Sequence, residues 1–143
     1  MAKNKMTWLV YALLSMISFG ILFILIKYSS NAGVSSQLAV FYQMFITALI
    51  LGIFFVSTNT SFKISKIALV ILIIMGIVSV FGNIFLFKAI SSAPNPGYAL
   101  AVSNLNTIII VFAGIFLFSS EINFLKIAGT ILAVIGVILI GLK

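Results

Sequence analysis

Apolar runs of about twenty residues follow one another along this sequence, and no charged side chain interrupts any of them. They are Thr7–Ile26, Leu38–Val56, Ile67–Phe87, Tyr98–Phe118 and Ile127–Leu142. A bilayer crossing takes about 20 apolar residues when the chain is helical. Hydrocarbon offers a backbone no hydrogen-bond partners, so runs of this length form helices there even when rich in Ile, Val and Phe. Outer-membrane strands are excluded, because those are about ten residues long and alternate strictly. The fifth run is short unless Phe124 and Leu125 join it and Lys126 snorkels to the surface. Composition agrees: 64% of residues are hydrophobic and 6% charged, against roughly 25% charged in a soluble domain. The expectation is an all-α membrane protein, a bundle of five transmembrane helices forming a single domain over 1–143, with no room for a second.

The charges are eight lysines and one acid, Glu121, for a net charge of +7. The lysines stand singly between apolar runs and form no basic stripe, so nucleic acid is not the expected partner. Lysines that flank spans report topology. Lys3, Lys5, Lys63, Lys66 and Lys126 fall on one side, with Lys27, Lys88 and Lys143 on the other. This weak bias places the N-terminus in the cytoplasm and the C-terminus outside a cytoplasmic or inner membrane. The first run is too long for a signal-peptide core and lacks a cleavage site, so it is expected to remain as an anchor. Cys and His are absent, which leaves no disulfide, thiolate or usual zinc chemistry. No cofactor, metal site or catalytic group is expected.

Three connections have turn chemistry. Ser29–Gly33 closes the first hairpin and Ser57–Ser61 the second. In Ala93–Gly97, Asn95 is placed to cap the next helix with Pro96 at its first position. Asn59-Thr60-Ser61 matches a glycosylation sequon, read here as chance on a cytoplasmic loop. Phe19-Gly20, Phe23, Lys27 and Ser29-Ser30 are echoed by Phe81-Gly82, Phe85, Lys88 and Ser91-Ser92. The echo fits either coincidence or two tandem hairpins.

Polar groups inside spans are costly, so each is a candidate for function or for an interhelical hydrogen bond. Tyr11, Ser15 and Ser18 share a face of the first run, and Gln43 and Thr47 a face of the second. Ser79 lies near Asn83 on the third, and Tyr98, Ser103, Asn104, Asn106 and Thr107 cluster on the fourth. Gly129, Ala133 and Gly136 make a smooth stripe on the fifth run, as Gly76, Ser79 and Gly82 do on the third; both are expected to serve packing or dimer contact. Lys27 and Lys88 each end an outward-running helix. Each either complements the dipole and snorkels to the headgroups, or joins a basic mouth for an anionic solute. Glu121 precedes the fifth helix, where its charge favours the helix start. No Asp, Glu or His lies within any run, so a proton relay through a buried carboxylate or imidazole is not expected.

The stretch Lys88-Ala89-Ile90, Ala99-Leu100-Ala101 and Phe116–Glu121, followed by Gly129 and Val134–Leu139 with Gly136, resembles the EamA-like family of the drug/metabolite transporter superfamily. The resemblance covers the whole chain and is most specific in its second half, where Glu121 is the best marker. It implies a transporter fold of five helices per unit, with typical members built from two units as inverted repeats. It also implies diverse solutes: amino acids, metabolites, nucleotide sugars and drugs. Single units are similar to small multidrug resistance proteins in needing to pair. Many relatives carry a basic residue near the position of Gln43. The small multidrug resistance proteins use a glutamate where this chain has Leu14 and Ser15, which speaks against proton-coupled export of cationic drugs. The expected function is alternating-access transport of a small organic solute by a homodimer or with a second five-helix half. Asn83, Lys88, Tyr98, Asn104, Lys27 and Gln43 are the candidate contacts. A lipid-linked-sugar flippase subunit and a non-transporting assembly or regulatory subunit are the alternatives.

Overall fold

A computed structural model describes residues 3–118 and 124–141. Glu121, Lys143 and the side chains of Lys3, Lys5 and Lys126 lie outside the described residues, so the expectations placed on them are not addressed. The described chain is all-helical and has no strand: α1 (Lys3–Asn31), α2 (Ser36–Ser57), α3 (Lys66–Ser92), α4 (Pro96–Ser103), α5 (Asn106–Phe118) and α6 (Phe124–Gly141). Four stretches are long and apolar enough to cross a bilayer: Leu9–Asn31, Ser36–Ser57, Lys66–Ser92 and Pro96–Leu117. The shorter apolar helix Ile127–Ile140 lies in the expected fifth run. The first helix runs five residues past the expected end at Ile26, carrying Lys27 and the Ser29-Ser30 pair with it.

Contacts divide the chain into two units, Met1–Ser91 and Ser92–Lys143. In the first unit, the buried core is four residues at one end: Ile26 of α1, Val40 of α2, and Phe87 and Ile90 of α3. Ile90 is fully covered, with 0% exposure. Below this cluster the side chains of α1 from Leu9 to Ile21 are exposed, as are those of α3 from Leu69 to Gly82. These faces are Leu, Ile, Val, Phe and Met, suited to lipid rather than water.

Two helix ends in this unit close with one device. Gly33, at φ +84, donates its N–H to the Ser30 carbonyl at 2.9 Å, and Val34 donates to Ser29 at 3.1 Å. Asn59, at φ 50, donates to Val56 at 3.4 Å while Thr60 donates to Phe55 at 3.1 Å. A left-handed residue just past the helix returns the chain so that two N–H groups satisfy the last carbonyls. Glycine takes that conformation freely, and asparagine is the commonest substitute. The N-terminus of α2 is capped by Ser35, whose Oγ accepts from the Leu38 N–H at 3.4 Å.

In the second unit, Asn95 caps α4 as expected. Its Oδ1 accepts from the Gly97 N–H at 2.8 Å, with Pro96 opening the helix. Helix α4 packs against α6. The fourth span differs from the continuous helix expected over Tyr98–Phe118, because Asn104 and Leu105 form a turn between α4 and α5. Ser103, Asn104, Asn106 and Thr107 crowd four weak helix formers around it, which lowers the local resistance to a break. The glycine stripes behave differently from the packing expectation. A Cβ built on Gly76, Gly82, Gly129 or Gly136 meets nothing within 4 Å, so none of them serves close packing among the described residues of its own unit, and the expected dimer contact is untouched by this.

Candidate functional site

A polar side chain in a membrane helix has two cheap ways to satisfy itself: bond back to its own helix, or reach a neighbouring one. Much of the first unit uses the former. The hydroxyls of Ser18, Ser29 and Thr47 donate to the carbonyls of Leu14, Ile26 and Gln43 at 2.8–2.9 Å. Asn83 donates its amide to the Ser79 carbonyl at 2.8 Å and to the Ser79 hydroxyl at 3.1 Å. These account for Ser18, Thr47, Ser79 and much of Asn83 without a ligand.

Lys27 reaches a neighbour. Its Nζ donates to the Ser91 carbonyl at 2.9 Å from a half-buried position. Ser91 is in the last turn of α3, whose terminal carbonyls lack N–H partners and carry the negative end of the helix dipole. Lys27 therefore caps a helix other than its own, pinning the end of α1 to the end of α3. Lys88 is exposed on α3. The two lysines thus occupy different settings.

Gln43 is the exception among the amides of the first unit. It is half-buried one turn past Val40, and its Oε1 is buried with no hydrogen-bond partner among the described residues. Seven residues into α2, it sits roughly 10 Å along the helix at about 1.5 Å per residue. An orphaned acceptor there costs about 1–3 kcal/mol. Beside it, Gln37, Val40, Phe41, Met44 and Phe45 of α2 face Val80 and Ile84 of α3 across a groove of about 380 Å³. Phe41 and Phe45 stack along its wall with centroids 6.1 Å apart. The sequence neighbours of Gln43 and Asn83 thus line one groove, so these two amides lie at similar depth on adjacent helices.

In the second unit Tyr98 is exposed near the start of α4, and Asn104 is exposed at the interruption. Residue reading singled out the polar cluster around Asn104 but missed the break it accompanies. The run Ser-Asn-Leu-Asn-Thr was the available signal. It also missed Ser91, whose contribution is a backbone carbonyl that no side-chain pattern marks.

The pattern that defines the EamA-like transporter family matches residues 6–142, through both units and all five spans. The chain belongs to this family. It is therefore a multi-pass membrane protein of a transporter family of the drug/metabolite type, not of an enzyme family. No curated protein and no solved structure matches it.

Proposed function

We propose that this EamA-like chain is one half of a carrier that moves a small organic solute by alternating access. A second five-helix unit, either another copy or a separate chain, completes the pathway. The observation that carries the reading is the buried Gln43 Oε1, an acceptor kept without a partner inside a membrane helix. Evolution removes such a group cheaply by an apolar replacement, so its presence favours a transient donor, as a passing solute supplies. Asn83, Tyr98 and Asn104 extend the contact set, and Lys88 guards the outer end of α3. Lys27 is assigned to architecture because its ammonium holds Ser91. Family membership supports the transport class, and the unit's odd number of spans supports pairing with an oppositely oriented unit. We place the protein in the cytoplasmic or inner membrane with its N-terminus inside, following the lysine bias.

Screening purified protein for thermal stabilisation by metabolites and lipids tests the solute reading, since a ligand bound only by the folded state raises its stability. A water-soluble metabolite should stabilise the wild type and fail to stabilise Gln43→Leu. Stabilisation by lipid-linked sugars alone would move the assignment to a flippase subunit. Reporters on the C-terminus, one active only inside the cell and one only outside, test the pairing. Signals from both favour dual insertion of one chain, and an outside signal alone favours a separate partner. A one-sided signal with purely parallel cross-linked dimers would rule out the inverted pair.

A further inference from the structure

The fourth span is interrupted at a telling depth. Asn104 lies eight residues beyond Pro96 in a span that runs to Leu117. At about 1.5 Å per residue that is roughly 12 Å in, close to the middle of a hydrocarbon core about 30 Å thick. Broken backbone at that level persists only where protein, water or a ligand satisfies it.

The hydrogen bonds at the step decide what kind of ligand fits. Leu105 donates its N–H to Val102 at 3.1 Å, Thr107 to Asn104 at 3.1 Å, and Ile108 to Leu105 at 3.0 Å. Each donor has moved to the carbonyl three residues back. The N–H groups of Thr107 and Ile108, in the first turn of α5, which would otherwise draw an anion, are therefore engaged. An acceptor is left over at the step, because the Leu105 N–H that a continuous helix would give Ala101 goes to Val102 instead. Within six residues of Ala101 along the chain come Ser103, Asn104, Asn106 and Thr107, all exposed, and none has a side-chain hydrogen bond to a described residue. The hydroxyls of Ser18, Ser29 and Thr47, by contrast, are all bonded back to their own helices.

We propose that the step between α4 and α5 holds a small monovalent cation on neutral oxygens: the Ala101 carbonyl, the Asn104 Oδ1 and the hydroxyls of Ser103 and Thr107. The cation is either free sodium or the primary ammonium group of a solute. Unwound carbonyls and half-helix C-terminal ends suit such ions, and uncharged ligands suit a single positive charge better than a divalent one. A coupling ion held here would need no carboxylate within a span.

The test reads binding without transport, so it stands or falls separately from the carrier reading. Thermal unfolding of the purified full chain is followed while choline chloride is replaced by sodium chloride, or by methylammonium chloride, at constant ionic strength. Sodium should raise the midpoint saturably, and Thr107→Val should raise the half-saturating concentration at least tenfold. Thr47→Val, which alters a hydroxyl already bonded to its own helix, should leave it unchanged. Asn104→Asp should lower it, which keeps the test decisive if other changes at Asn104 prevent folding. Saturable stabilisation by methylammonium but not sodium assigns the site to a solute ammonium. No saturable difference from choline, or an equal response in Thr107→Val, overturns the proposal.

Discussion

Gln43 and Lys27 show how differently two polar residues can sit within one three-helix unit. Lys27 completes another helix, and replacing it by Met would leave the Ser91 carbonyl without its charged donor. The expected loss is about 1.5–3 kcal/mol of unfolding free energy, the usual range for a hydrogen bond to a charged group. Lys88→Met should change stability by no more than about 0.5 kcal/mol. Denaturant unfolding in a single detergent compares the two, and equal losses would return Lys27 to a headgroup role. Gln43→Leu is expected to do the opposite, raising stability by about 1 kcal/mol while lowering solute binding. A variant that lost both would make Gln43 structural. The Asn95–Pro96 cap was legible because its partners are adjacent in sequence. The Lys27–Ser91 bond was not, because donor and acceptor lie 64 residues apart and a backbone acceptor leaves no mark on residue identity.

Helices were the readily legible level, since the solvent decides them: a long uncharged run in lipid has no other way to satisfy its backbone. Their ends were partly legible. Gly33 was visible as a turn residue, and its left-handed φ explains why glycine stands there. Nothing lies within 4 Å of a Cβ built on it, so Gly33→Ala should cost about 1 kcal/mol from backbone strain alone. Asn59→Gly, at the equivalent place on α2, should be neutral or slightly stabilising. Thermal unfolding of both variants checks the pair, and an unperturbed Gly33→Ala would contradict the left-handed cap. The break in the fourth span was the least legible element feature, because its apolar flanks satisfy every criterion for a continuous span. Hydrogen–deuterium exchange should show the amides of Asn104 to Ile108 opening faster than those of Ile71 to Val78 in α3. Equal protection would mean that the step is closed into regular helix.

On the scale of the whole molecule, the family pattern spans residues 6–142, while the contacts gather into two units. The number of spans could be read from hydropathy. The placement of the core could not, because every span is apolar around most of its circumference and no amphipathic stripe points inward. In the first unit that core, with Lys27 and the Gly33 turn, gathers at a single end of α1, α2 and α3. Away from that end the helices present exposed apolar side chains, a surface suited to lipid, which would make the membrane itself a structural partner. At about 1.5 Å per residue, the 27 residues of α3 extend roughly 40 Å, longer than a hydrocarbon core of about 30 Å. Tilting about a fixed clasp relieves that mismatch, so bilayer thickness should set how far the free ends spread. Spin labels at positions 13 and 72 should report different separations in thin and thick bilayers, while labels at 30 and 89 should not. The same protein would then present a different opening in each membrane it is placed in.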